Sequence, residues 1–242
     1  MKHFKPVKTD RVYEKVLDQL KDAILTGRFK TGEKLPSERE LCEEFQVSRG
    51  VIREAIRALE LRGFVLIRQG PAGGAYVTDL SFNQVGNAFL DLFKTNKLSM
   101  KDIAQVRMHI EPEVARLAAE HFHPSQMDML LELEREEHVD FVSDEDRIDR
   151  LTRVHKALAK MCGNPFFEAI VRSMLMLTAE VVLKVASNHD LLHGPGEHAR
   201  VIHAVISQDA EGAAREMREH LRQFSQNLIE MEKIYRQQYS QE

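Results

Sequence analysis

The sequence predicts a mainly α-helical protein in two domains, the first closed by a small β-hairpin and the second an all-α bundle. Three observations carry that expectation. Apolar residues recur with a helical period of about 3.6 almost throughout. The exception is residues 64–78, FVLIRQGPAGGAYVT, where two short β-prone runs flank a Gly/Pro-rich turn. Charge changes sign at the same place: residues 1–79 carry net +3 and the remainder −7, within a total of −4 for 242 residues. The boundary falls at 79–84, which divides the chain into residues 1–80 and 81–242.

Composition narrows the function classes. Hydrophobic residues make up 43% and charged residues 30%, enough for packed cores and against wholesale disorder. The negative total excludes a uniformly basic, histone-like protein, but the basic N-terminal part can still meet a polyanion. No Trp and only 7% aromatic residues argue against a carbohydrate platform or a base-stacking sheet. Cys42 and Cys162 form no C-x-x-C motif and read as small buried hydrophobes in a reducing compartment. No apolar stretch follows the basic opening MKHFKPVKTD, and no window approaches the ~18 apolar residues of a membrane span. A soluble, cytoplasmic protein with no membrane contact is expected.

In the first domain, Asp10 is placed to cap a helix whose apolar face is Tyr13, Val16, Leu17, Leu20 and Ile24, and Gly27 ends it. Ser37 and Glu40 have capping-box spacing. They open a helix of about two turns that buries Leu41, Cys42 and Phe45. Gln46-Val47-Ser48 is a tight connection, with Ser48 the next N-cap. From Arg49 to Arg62 the stripe is Ile52, Ala55, Ile56 and Leu59, while Arg49, Arg53 and Arg57 recur along another side. Gly63 stops the helix, and Phe64–Arg68 pairs with Ala75–Thr78 across Gln69-Gly70-Pro71-Ala72-Gly73-Gly74.

Two short helices with a tight turn, the second bearing an Arg row, describe a helix-turn-helix, and the hairpin makes it winged. Its chemistry suits double-stranded DNA. A helix fits the major groove, where Arg donates two hydrogen bonds to guanine, and helix N-termini present N–H groups to phosphates. The order Leu35-Pro36-Ser37-Glu38-Arg39-Glu40-Leu41, Val47-Ser48-Arg49, Arg53-Glu54-Ala55, Leu59, Gly63 and Arg68-Gln69-Gly70 resembles the DNA-binding domain of GntR-family transcription regulators over residues 10–78. The resemblance implies DNA contacts from Arg39, Ser48, Arg49, Gly50, Arg53, Gln69 and Gly70, with the wing tip near the minor groove. Gly50 departs from the commonest pattern, which has a hydroxyl residue there.

Residues 84–240 read as six or seven helices, at about 100–121, 125–141, 145–162, 165–188, 196–208 and 211–238. Gly163-Asn164-Pro165 and Gly194-Pro195-Gly196 are the sharp breaks. The informative residues are polar ones on apolar faces. Arg107 falls between Ile103 and Ile110; His155 lies within Leu151, Val154, Leu158 and Cys162; His198 stands with Val201, Ile202 and Val205; His220 stands with Met217, Leu221 and Phe224. Three inward His on three helices beside an inward Arg suit a metal or anion site, since bundles build such sites from facing helices. His121 and His123 read as helix-end residues favoured by the dipole, His109, His138, His189, His193 and His203 as surface or incidental, and Glu132, Glu134, Glu136 and Glu137 as a solvated helix face.

Arg107 with Glu111, the run from His155 to Asn164-Pro165, and Glu197-His198 followed by His220-Leu221 resemble the FCD ligand-binding domain of the FadR subfamily, over residues 85–235. That resemblance implies a divalent metal, zinc or similar, on His155, His198 and His220, and a small carboxylate effector bound by these residues with Arg107. The fourth ligand of the pattern, an Asp four residues before the first His, is Leu151 here. Asp149 points to another side of the helix, and Thr152 is a weak ligand. Three neutral His plus water still make an open zinc site; the other reading is a metal-free pocket in which they donate hydrogen bonds to an anion. The expectation is a ligand-responsive regulator, a repressor, that binds a palindromic operator as a homodimer and has no catalytic residues. Its alternatives are a metal-responsive regulator and a zinc hydrolase, the last disfavoured because no H-E-x-x-H or adjacent general base is present.

Overall fold

The computed structural model describes residues 12–78, 83–185 and 196–239. The chain folds as two compact units, Met1–Gln84 and Val85–Glu242. Each has its own apolar core.

In the first unit, α1 (Val12–Leu25) buries Val16, Leu17, Leu20 and Ile24. Asp10, its expected cap, lies outside the described residues. The capping box of α2 (Glu38–Phe45) is reciprocal: the Glu40 N–H donates to Ser37 Oγ at 3.3 Å, and the Ser37 N–H to Glu40 Oε2 at 2.7 Å. Helix α2 ends on Gln46, whose φ of 53° turns the chain sharply toward α3 (Arg49–Leu61). Helix α3 buries Ile52, Ala55, Ile56 and Leu59 against α1 and α2. Gly63 then reverses the chain with φ 70°, a conformation that costs a residue with a Cβ. The hairpin pairs β1 (Val65–Arg68) with β2 (Gly74–Val77), Val65 opposite Val77 and Arg68 opposite Gly74. Strand β1 starts one residue later than expected and ends at Arg68 as expected, and β2 is shifted one residue toward the tip. At the tip, a Cβ on Gly73 would stand 2.7 Å from the Gly70 carbonyl oxygen, so the turn closes only around glycine.

The second unit is helical: α4 (Asn83–Lys94), α5 (Met100–Glu120), α6 (Met127–Glu137), α7 (Asp144–Met161), α8 (Pro165–Val185), α9 (Ala199–Ile206) and α10 (Ala210–Tyr239). A single 3-10 turn, Pro124–Gln126, precedes α6. Helix α5 runs against α10, and α7 against α8 and α5. Their shared core includes Val114, Val154, Leu158, Val171, Leu177, Met217 and Leu221. Gly163, with φ 74°, and Pro165 make the break between α7 and α8 as expected. His189, His193, Gly194 and Pro195 lie outside the described residues. No described helix is long and apolar enough to cross a membrane.

One expectation is overturned here. Helix α6 ends at Glu137, and that residue is 0% exposed rather than part of a solvated face. Seven residues after the buried Leu130, it is two turns along on the same side of the helix, which faces inward.

Candidate functional site

Two groups of side chains stand out, one in each unit. Arg39, Ser48, Arg49, Gly50, Arg53, Gln69 and Gly70 are all exposed. Packing of Ile52, Ala55, Ile56 and Leu59 turns one side of α3 inward, which leaves Arg49, Arg53 and Arg57 on the open side. Ser48 occupies the N-cap position of α3, yet its hydroxyl makes no capping hydrogen bond. Arg53 Nε lies 2.8 Å from Glu38 Oε2, and Arg39 Nε lies 3.0 Å from Glu43 Oε1. Both pairs are well exposed, so a phosphate can take the carboxylate's place at little cost. A Cβ at Gly50 would meet only Ser48 Oγ at 3.8 Å, so the fold itself does not demand glycine there. On the wing, the Arg68 guanidinium stacks over Tyr76 at 4.3 Å from the ring centre.

The second group is buried. His155 on α7, His198 just before α9 and His220 on α10 are 3%, 0% and 5% exposed. His155 Nε2 lies 3.0 Å from His198 Nε2 and 3.3 Å from His220 Nε2. The opposite nitrogens of two rings face carboxylates. His155 Nδ1 is 2.5 Å from Glu111 Oε2, and His198 Nδ1 is 2.5 Å from Glu137 Oε1. Glu111 also receives the Arg107 Nε–H, so Arg107, Glu111 and His155 form one chain of contacts. His220 Nδ1 faces Glu197 Oε2 at 3.9 Å.

The electrostatics fix protonation. Burial disfavours the His155 imidazolium more than Glu111 supports it and brings its pKa down to about 4, so the ring is neutral at pH 7. Burial alone would raise the Glu111 carboxyl, but Arg107 and His155 outweigh it and hold it at about 2. With Nδ1–H donated to Glu111, neutral His155 presents its Nε2 lone pair to His198 Nε2, which can meet it with an N–H or, when both rings donate from Nδ1, with a second lone pair. At 3.0 Å the two nitrogens need either a shared proton or a cation between them.

These residues fit a metal. In a tetrahedral site with Zn–N bonds of about 2.0–2.1 Å, ligand nitrogens stand roughly 3.3 Å apart. All three ring nitrogens of the cluster lie within 4.8 Å of one another. Carboxylates behind ligand imidazoles orient the rings and raise their basicity. Three buried His close together can therefore hold a metal.

Arg107, 2% exposed, and His155 share a cavity of about 30 Å³ with Leu151, Thr152, Val182 and Phe224. The structure places Arg107, His155 and Leu151 on one cavity and sets His198 and His220 against His155. Asp149 is elsewhere, paired with Arg153 and Lys156. Sequence reasoning missed two residues: Glu137 altogether, and Glu111 as the partner of His155. The spacing of Glu137 from Leu130 was a readable signal, whereas its pairing with His198, 61 residues away, was not.

Comparison with known proteins follows the same division. Residues 12–77 match the family described as "Bacterial regulatory proteins, gntR family", and residues 102–223 match the FCD domain. The Glc operon transcriptional activator of Escherichia coli (strain K12) is 29% identical over 233 residues, 91% of this chain and 90% of that protein. The HTH-type transcriptional repressor NanR of Escherichia coli (strain K12) is 27% identical over 231 residues, 91% of this chain and 86% of that protein. The solved structure of Streptococcus agalactiae GntR superposes with a TM-score of 0.64 at 26% identity, covering 88% of this chain and 99% of that one. The chain belongs to the gntR family of bacterial regulatory proteins with an FCD domain, and it is a DNA-binding, ligand-responsive transcription regulator and not an enzyme.

Proposed function

We propose that residues 1–80 read a palindromic operator, that residues 81–242 bind an effector and join two chains into a homodimer, and that a small carboxylate sets the DNA affinity. Within the family the chain is assigned to the FadR subfamily, on the order of Arg107-Glu111, His155, Glu197-His198 and His220. Arg39, Ser48, Arg49, Gly50, Arg53, Gln69 and Gly70 are the DNA-contacting set. The sign is repression, the commoner one that the resemblance implies, and the place of action is the cytoplasm. Relatives named for both signs occur, so a promoter fusion in a deletion strain decides the sign.

The observation that carries the reading is one buried cation, Arg107, in a cavity shared with His155, whose ring in turn touches His198 and His220. His155, His198 and His220 would hold the metal, which supplies a positive centre for an anionic ligand. Arg107 orients the carboxylate, while Leu151, Val182 and Phe224 exclude water. At about 30 Å³ the cavity has the volume of one or two water molecules. A metabolite must therefore displace side chains to enter. That displacement supplies what a switch requires, a ligand that binds two conformations unequally. Coupling of ~1–3 kcal/mol is usual for such switches.

Titration of the protein–operator complex tests this. Zinc alone is expected to leave the complex intact, and zinc with an organic acid to release it. Release by zinc alone favours the metal-sensing alternative, which the His cluster itself recommends. A triple His155→Ala, His198→Ala, His220→Ala variant that keeps its full ligand response removes the pocket from the account.

A further inference from the structure

We infer that the ligand of the helical domain is a compact monocarboxylate with an apolar body, whose single negative charge completes the buried cluster. This rests on the effector site proposed above and narrows its ligand.

The first argument is charge. Among the described residues, the buried side chains that ionise near neutral pH, imidazoles apart, are Arg107, Glu111 and Glu137. All three belong to one connected set, through the Glu111–His155, His155–His198 and His198–Glu137 contacts. With imidazoles neutral, as metal ligands must be, these three buried groups sum to −1; Glu197, which faces His220 at 3.9 Å, is a third exposed and keeps its own solvent screening. Glu137 is 0% exposed, and its Oε2 has no hydrogen-bond partner among the described residues. An uncompensated charge in apolar surroundings is strongly disfavoured. A divalent cation on the three Nε2 atoms turns −1 into +1. A monoanion then brings the set to zero, whereas a dianion returns it to −1.

The second argument is position 151. Leu151 is one turn before His155 on the same face of α7, 5% exposed and in the cavity wall. A carboxylate there would have supplied the missing negative charge from within the chain. Leu151 supplies only methyl groups, so the charge comes from the ligand.

The third argument is the lining. Ile148, Leu151, Val182 and Phe224 offer no polar atoms, and two hydroxyls have their donors engaged and are left as acceptors only. Thr152 donates to the Asp149 carbonyl at 3.0 Å, and Thr178 to the Met174 carbonyl at 2.9 Å. Arg107 remains for one carboxylate. A polyhydroxylated acid would bury several hydroxyls against at most two acceptor hydroxyls, leaving the others without replacement partners.

Calorimetry on the full-length, zinc-loaded protein with three acids of equal carbon number tests the inference. Butanoate, succinate and threonate differ only in apolar body, second charge and hydroxyls. Butanoate is expected to bind about tenfold tighter than either of the others. Leu151→Asp is expected to bind zinc more tightly and butanoate about tenfold more weakly. Succinate or threonate binding as tightly as butanoate overturns the inference while leaving a carboxylate effector in place, and so does unchanged butanoate affinity in Leu151→Asp. Failure of zinc itself to bind overturns the charge argument. Absence of heat from all three acids at about 10 mM removes the carboxylate effector, and the inference with it. The wild-type ranking stands whether or not the variant folds.

Discussion

Arg53 and Arg107 each face a glutamate, in surroundings that give the two pairs opposite consequences. The Arg53–Glu38 pair lies on the open side of the reading helix, with side chains 60% and 40% exposed. The Arg107–Glu111 pair lies in the bundle, with side chains 3% and 2% exposed. An exposed pair contributes about 0–1 kcal/mol and exchanges partners with solvent. A buried pair has lost its water, so removing one partner strands the other charge. The first arrangement leaves its cation open to solvent and free to change partners. The second holds charge out of water, where only a bound partner can offset it.

The largest break in that comparison is expected at Arg107. Arg107→Ala leaves Glu111 buried with only His155 to offset it, and a stranded buried charge costs about 3–5 kcal/mol. Urea denaturation of the metal-free protein should show a loss of that size. Stability within about 0.5 kcal/mol of wild type, the range of an ordinary surface change, would mean that solvent reaches the pair.

The reading head should show the reverse. Arg49→Ala and Arg53→Ala are each expected to weaken operator binding by ~1–3 kcal/mol. Both residues are exposed, so folding should be unaffected to within about 0.5 kcal/mol. Fluorescence anisotropy with operator and scrambled duplexes measures the first effect, and urea titration the second. Unchanged operator affinity in both variants would misplace the recognition helix.

This contrast also explains what was legible in the sequence. The reading head is built from short-range signals: the Ser37/Glu40 box, the α3 stripe and the Gly-rich wing tip act over a few residues. The side chains proposed to meet DNA point outward because the stripe points inward, so periodicity alone places Arg49 and Arg53 on the open side. The bundle site is long-range. Periodicity turned Arg107, His155, His198 and His220 inward without showing which rings would meet. Glu137 was hidden by its neighbours, because Glu132, Glu134 and Glu136 are partly or fully exposed and make the run look uniformly solvated. Glu134 reaches His203 and Glu136 reaches Arg153, as surface residues do, while Glu137 alone turns in to His198.

Acidity should separate the two regions next. His155 titrates at about 4 in the folded chain and near 6.5 when unfolded. Between these values the unfolded state binds the extra proton, so stability falls as pH drops from 6.5 toward 4. Glu111, depressed from 4.5 to about 2, adds a further loss below pH 4.5. Chelator-treated protein is expected to be about 2 kcal/mol less stable at pH 5 than at pH 7.5. Equal stability at the two pH values would place a proton or metal on the cluster throughout. A His155→Gln variant, which has nothing to titrate there, should flatten the upper part of the profile.

The smallest expected effect probes the exposed pair itself. Glu38→Gln removes the carboxylate 2.8 Å from Arg53 Nε and leaves a side chain of the same length. Its cost to folding should not exceed about 1 kcal/mol, the ceiling for a solvated pair. DNA binding should change in the opposite sense, because a negative charge near the phosphates is gone and Arg53 no longer has to leave a partner. Tighter binding to any duplex is expected, with little change in preference for the operator, since a phosphate contact carries no sequence information. Anisotropy at several salt concentrations checks both statements. If Glu38→Gln instead weakens operator binding, the carboxylate is holding Arg53 in the orientation that reads a base. The exposed pair would then be a positioning device, closer in kind to the Glu111–His155 contact in the bundle than its exposure suggests.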